Sequence, residues 1–350
     1  MLLEILINVL TSKLFIADVI IGIICIEYAL YKCKPLIKVD EVREQKYSAF
    51  KRNDVKYWRR PYLYLASPLV FLRFGSCVLI IILSYLLTRL VNFNVREGQM
   101  PSDLQIRISR HKKLDVDYKK YLGPEWKPTN RIPSTIVSNH CVWLDIMMLW
   151  QVKDYPIFAA KSPVKNFPFI GYIASYPGFD TIFLNRAGSK EERLELVKVM
   201  GEHQALHQKN QDRSLVMFPE GCTTNNTELI QFRRGAFYYL HSIQPFTLRY
   251  WSPFFQPPHD IMPLIPHAIL LLCQPFQFLE IQELPVFEPN DYFFDHHSQS
   301  GEEKWQTYMR VIRQLMADAL GFKQSNLKLE DKFDYKMQLW PSKGEKAKFE

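Results

Sequence analysis

The sequence predicts an α/β fold, a mixed sheet flanked by helices, standing behind N-terminal membrane-embedded helices. Three observations predict it. Two long apolar stretches occupy the first quarter of the 350 residues. From about Arg131 onward, short apolar runs alternate with longer helical ones, the pattern of a sheet with helices packed on it. Near the end, Trp305, Tyr308, Met309, Ile312, Leu315, Met316 and Leu320 recur at helical spacing, and Gly321 follows as a C-cap.

Taken in order, Leu14 to Tyr31 is long enough to be a membrane-embedded helix, yet it holds Asp18 and Glu27. An Asp near a helix centre costs roughly 2.5 to 3.5 kcal/mol on insertion, which argues against an easy span. Phe74 to Thr88 is uncharged for 15 residues between Arg73 and Arg89. That is about 22 Å of helix against about 30 Å of hydrocarbon, so it spans only if both arginines snorkel. Between the two, Lys32 to Arg60 carries ten basic and four acidic residues. The simplest arrangement is a pair of segments that dips into one leaflet or forms a hairpin, with basic residues near anionic headgroups.

Ser134 to Ser138, Pro156 to Ala160, Thr181 to Leu184, Ser214 to Phe218 and Phe246 to Tyr250 read as strands, being short and mostly bounded by Pro, Gly, Asn or Asp. Ser189-Lys-Glu-Glu192 is a capping box, which predicts a helix from about 190 to 208. The tail beyond Lys323 is polar and charged and reads as peripheral. The expected organisation is a membrane-associating region over 1–95, a catalytic-sized domain over 96–322 and a polar C-terminal tail over 323–350.

A hydrophobic fraction of 47% fits a packed core, and a formal charge of +8 with a pI near 9.0 favours anionic surroundings. No signature of nucleic-acid binding is present, so a phospholipid membrane or a phosphorylated metabolite is the expected partner and nucleic acid is not. Six cysteines, at 25, 33, 77, 141, 222 and 273, show neither zinc-site pairing nor disulfide density, and are expected to be reduced thiols. Met1-Leu-Leu-Glu lacks the positive start of a secretory signal. No metal site is predicted.

Ser138-Asn-His-Cys-Val-Trp-Leu-Asp145 places an imidazole and a carboxylate five positions apart. Spacing alone carries little, because His207 and Asp212 repeat it in a polar run. Context separates them. A neutral histidine held in one tautomer by a carboxylate is a general base, and the pair works if the turn after the strand 134–138 ends at His140 and an apolar helix carrying Asp145 begins there. Val142, Leu144, Ile146, Met147, Met148 and Leu149 are expected to pack around Asp145. Arg186 closes a strand-like run where a guanidinium could grip a phosphate, and Phe218-Pro-Glu-Gly221 is a turn that exposes Glu220 and lets a ligand approach Gly221.

The ordered segments His140 to Asp145, Phe183-Leu-Asn-Arg186, Phe218-Pro-Glu-Gly221 and the Pro245-containing strand resemble the four motifs of the glycerolipid acyltransferase family. Phe218 to Asn226, Phe232-Arg-Arg-Gly-Ala-Phe237, Gln244 to Tyr250, Leu284 to Pro289 and Met316 to Gly321 are similar to the lysophosphatidylcholine and lysophosphatidylethanolamine acyltransferases within it. The resemblance covers roughly residues 120 to 325.

It implies an acyl-CoA-dependent O-acyltransferase in which His140 deprotonates the acceptor hydroxyl and Asp145 fixes the imidazole. It further implies that Arg186 meets the acceptor's phosphate, Glu220 and Gly221 lie in the acceptor site, and Lys161 lies near that phosphate. No bound cofactor is implied, acyl-CoA being a co-substrate, and no covalent acyl-enzyme is needed. The expected setting is a membrane, the endoplasmic reticulum, with the catalytic domain facing the cytosol. Acylation of glycerol 3-phosphate or 1-acylglycerol 3-phosphate is the alternative reaction, and an inactive lipid-binding scaffold the alternative from another class. Cys141 and Cys222 depart from the small hydroxyl residues that relatives carry, so their side-chain hydrogen bonds are expected to be weaker. The sequence does not fix the oligomeric state.

Overall fold

The architecture was read from a computed structural model, which describes residues 12–91, 110–153, 156–166, 170–175, 181–184, 190–211, 213–274 and 276–341. Its strands are β1 (Arg110–Lys113), β2 (Thr135–Ser138), β3 (Ile157–Lys161), β4 (Ile182–Leu184), β5 (Leu215–Met217), β6 (Glu228–Leu229), β7 (Ile243–Trp251), β8 (Phe278–Glu283) and β9 (Lys323–Gln324). Seven of them form one sheet in the order β1-β8-β7-β2-β5-β3-β4, and β6 pairs with β9 separately. From β7 to β4 all neighbours are parallel, while β8 runs antiparallel to β7. The fold is the expected mixed α/β sheet flanked by helices.

All five expected strands are present within a residue or two, apart from β7. That strand starts earlier, at Ile243, and runs through Pro245, whose carbonyl still accepts from the Leu284 amide at 3.0 Å. Four strands escaped the sequence reading, the two-residue pair β6 and β9 and, in the main sheet, β8 and β1. β8 alternates buried Leu279, Ile281 and Glu283 with more exposed partners, but its three acidic or amide positions masked the period. β1 is Arg-His-Lys-Lys, an edge strand with no apolar signal at all.

The helix predicted from about 190 to 208 spans Lys190–Asn210, and Ser189 of its capping box lies outside the described residues. His207 sits inside that helix, buried, and Asp212 lies outside the described residues. The stripe ending at Leu320 is the helix Lys304–Leu320, closed by Gly321 in the left-handed conformation at φ 65°. Its buried face, including Tyr308, Ile312 and Met316, packs with Phe237, Phe287 and Phe293 under the sheet.

The N-terminal helices Lys13–Lys32 and Ser67–Val91 pack side by side. Their approach needs Gly22, since a Cβ there would meet the Ser67 carbonyl oxygen at 2.5 Å. Glu27 is neutralised locally: its carboxylate accepts from Arg60 at 2.7 Å and from the Tyr64 phenol. Arg73 donates to the carbonyls of Leu272 and Gln274 rather than reaching outward to snorkel. It thereby satisfies the end of the helix Leu264–Leu272, where carbonyls lack intrahelical partners.

The core crosses both expected domain boundaries. Ile26, Leu30, Leu36, Tyr47 and Phe50 share one apolar cluster with Phe255, Met262, Leu270, Tyr335 and Leu339. The C-terminal segment is therefore not all peripheral. Residues Leu329–Leu339 form a helix in which Tyr335 and Leu339 are buried. Tyr335 stacks on Tyr47 at 4.9 Å, and Trp340 donates to the Lys32 carbonyl.

Candidate active site

β2 ends at Ser138, in the middle of the sheet between β5 and β7, and delivers Asn139 and His140 to the carboxyl edge of the parallel strands. That edge is where parallel α/β sheets place their ligands. Asn139 is buried and fixes the exit of the chain. Its amide donates to the Leu248 carbonyl at 2.9 Å and accepts from the Leu248 N–H at 2.8 Å, so β7 holds the last residue before the histidine from both sides.

The helix after His140 begins at Asp145, later than the sequence suggested. The reason lies in the Asp145 side chain, which turns back over residues 141–144. Its Oδ2 accepts from the Cys141 N–H at 2.6 Å, the Val142 N–H at 3.0 Å and His140 Nδ1 at 2.8 Å. Oδ1 accepts from the Tyr250 phenol at 2.7 Å. Asp145 is fully buried, and four donors replace the water it has lost. Cys141, Val142 and Leu149 supply buried packing nearby, whereas Ile146 and Met147 point outward and half-exposed, contrary to expectation.

The imidazole keeps 20% of its surface exposed and lies flat on Phe218, with ring centroids 4.1 Å apart. Beneath it sits Glu220. One oxygen accepts from the His140 backbone N–H at 2.8 Å, and the other lies 3.4 Å from the Ile230 N–H. Glu220 is fully buried, and burial, the largest influence, pushes its carboxyl up to about 8 against the pull of those two amides. It supports the histidine loop from below.

Gly221 takes φ 73°, a conformation that L side chains rarely adopt, and a Cβ there would press on the Arg233 side chain at 3.1 Å. The loop it starts is pinned at Thr223 and Thr224. The Thr224 N–H donates to the His140 carbonyl at 2.9 Å, and Lys332 from the C-terminal helix donates to the Thr223 carbonyl and hydroxyl. Asn226, left-handed at φ 62°, donates to the Leu248 carbonyl and accepts from the Tyr250 N–H. Cys141 is the polar partner of two amides, from Asn139 at 3.2 Å and Asn226 at 2.9 Å. Burial pushes its thiol well up and Cys222 up to about 11, so both remain thiols.

His140, Asp145, Glu220 and Gly221 are thus brought together on adjacent strand ends. Arg186 lies outside the described residues; Lys161 ends β3, with its side chain outside them. The sequence reading missed Tyr250, Asn139, Asn226 and Phe218 as site groups. All four stand inside or beside the segments it singled out, yet their roles depend on which carbonyl or carboxylate lies opposite, and only the folded register supplies that.

Residues 121–268 match the family model described as Acyltransferase, a stretch that includes every one of these groups. The lysophospholipid acyltransferase LPEAT1 of Arabidopsis thaliana is 30% identical over 204 residues, 58% of this chain and 48% of that one. Human lysophosphatidylcholine acyltransferase 1 is 29% identical over 219 residues, 60% of this chain and 36% of its own. Over this region the chain is similar to acyltransferases that act on lysophospholipids by name. The chain also resembles the lyso-ornithine lipid O-acyltransferase of Rhodobacter capsulatus, at 32% identity over 34% of this chain and 42% of that one. The matched region covers less than half the length of each of these relatives. Among solved structures, the 1-acyl-sn-glycerophosphate acyltransferase PlsC of Thermotoga maritima matches at 14% identity with a TM-score of 0.37, over 61% of this chain and 71% of that one.

Proposed function

We propose that this chain transfers a fatty acyl group from acyl-CoA to the free hydroxyl of a lysophospholipid at a membrane surface. The observation that carries the reading is a partly exposed His140 whose Nδ1 is bonded to a buried, four-coordinated Asp145. With Nδ1–H held by the carboxylate, Nε2 is the basic nitrogen. It takes the acceptor's proton as the oxygen attacks the thioester carbonyl carbon. Collapse of the tetrahedral intermediate breaks the carbon–sulfur bond, and the departing CoA thiolate takes the proton from the imidazolium. Asp145 stabilises that imidazolium while it exists. Glu220 holds the His140 backbone in place, and Arg186 and Lys161 are assigned to the acceptor's phosphate.

Membrane attachment is supported by the helix Lys13–Lys32, long and apolar enough to cross a bilayer, with Leu14, Ile20 and Ile24 turned outward. Lys32, Lys34 and Arg59 flank the two N-terminal helices and suit an anionic cytosolic leaflet. We therefore assign the domain to the cytosolic face, in the endoplasmic reticulum as the resemblance implies. The relatives' names, lysophospholipid and lysophosphatidylcholine acyltransferase, favour that acceptor class over glycerol 3-phosphate.

The test is turnover by the purified full chain, in detergent, of labelled acyl-CoA with lysophosphatidylcholine, lysophosphatidylethanolamine, lysophosphatidic acid and glycerol 3-phosphate. The expected product is a diacylated phospholipid from one of the first two. His140→Ala should lower kcat by about 10²- to 10⁴-fold with the fold intact. Full activity in that variant would overturn the mechanism, and transfer only to glycerol 3-phosphate or lysophosphatidic acid would overturn the acceptor class.

A further inference from the structure

The carboxylate of Asp145 has one oxygen that serves three N–H donors and one that serves Tyr250 alone among the described residues. We propose that Tyr250 is a positioning residue of the histidine–aspartate pair: its phenol fixes the carboxylate that orients the His140 imidazole. This rests on reading His140 as the base. Two features separate Tyr250 from a tyrosine that has merely found a buried acceptor. Its hydroxyl meets the free oxygen of the very carboxylate bonded to the imidazole, and its backbone is itself held, the N–H donating to Asn226 Oδ1 at 3.0 Å. Asn226 adopts φ 62° and donates to Leu248, the residue that also clamps Asn139. One strand, β7, thereby sets both the exit of the histidine loop and the orientation of its aspartate.

Burial and the neighbouring Asp145 charge push the Tyr250 phenol well up, so it stays a donor through the working pH range. Besides Asp145 at its ring nitrogen, His140 faces Glu220 through its backbone. His259 lies within electrostatic reach, and its own N–H binds the Cys141 carbonyl. Removing the phenol leaves the charge on Asp145 shared among fewer donors. The carboxylate then holds the imidazolium more strongly, so His140 titrates higher and less of it is the free base at neutral pH.

The test is a direct titration of the His140 imidazole by NMR on histidine-labelled full chain in detergent micelles, with the resonance assigned from His140→Ala. Tyr250→Phe should move the midpoint upward by about half a pH unit or more. Tyr308→Phe, which gives up buried bonds to the His241 and Phe287 carbonyls, should leave it in place. In the active enzyme Tyr250→Phe should lower kcat more than it changes KM and move the acid limb of the rate profile upward. Asn226→Gly keeps the left-handed backbone while freeing the Tyr250 N–H. It should shift the midpoint the same way, and decides the matter if phenylalanine is not accommodated. An unshifted midpoint in a folded Tyr250 variant overturns the proposal. The titration needs no turnover, so failure of the parent to acylate any lysolipid would sink the proposed reaction and leave the titration to decide the role of Tyr250.

Discussion

Glu220 carries a buried carboxyl whose titration lies at about 8, far above the usual 4.5, because burial disfavours its charge. The folded chain therefore keeps a proton that the unfolded chain loses once pH passes about 4.5. Stability from this residue is fully present below that value, falls as pH rises, and levels off above about 8. Glu220→Gln, a neutral isostere, should fold, retain the His140 amide contact and flatten the decline in melting temperature between those two values. Glu220→Ala should lower kcat by roughly tenfold or more, since the loop beneath the base loses its support. A thermal melt series from pH 5 to 9 on both variants checks the sign. The sequence could supply His140 and Asp145, because strand end, apolar helix start and later motifs converge on them. It could not supply the inward turn of Glu220 or the phenol of Tyr250, because each is defined by a partner 80 or more positions away across the sheet.

At the scale of elements, the helix Leu329–Leu339 shows why composition misleads. Five of its eleven residues are charged, and only Tyr335 and Leu339 are buried, one turn apart, too small a stripe to stand out as amphipathic. Yet Tyr335 fills a pocket against Tyr47, bonds Glu44 at 2.6 Å, and places Lys332 on the loop beside Gly221. Tyr335→Ala should cost about 3 kcal/mol through the cavity left behind. It should also slow turnover at temperatures where the chain is still folded, because the 221–224 loop loses an anchor. Tyr335→Phe, which keeps the ring, should recover most of the melting temperature in a denaturation curve. The edge strand β1 was illegible for the opposite reason. Its cationic sequence is what keeps an exposed edge from pairing with another chain, so polarity there is consistent with a strand.

For the whole molecule the question is whether the N-terminal helices are a detachable anchor. An apolar pair followed by a catalytic domain invites that view, and the shared core opposes it. Ile26, Ala29, Leu30, Phe50 and Trp58 are buried against Met262, Leu270, Leu271 and Leu339, so the same cluster closes the N-terminal, catalytic and C-terminal parts. Buried ion pairs join the first two as well. Arg52 bonds Asp54 and Asp260, and burial raises the Asp260 carboxyl while Arg52 restrains it. Removing residues 1–95 would expose the other half of that cluster and strip Asp260 of its guanidinium. The shortened chain should therefore show no cooperative melt and no acyl transfer even when detergent replaces the bilayer. Arg52→Met in the full chain isolates the electrostatic part and should lower the melting temperature without changing the detergent requirement. A truncated domain that melts cooperatively and turns over lysolipid would show that the helices only tether it.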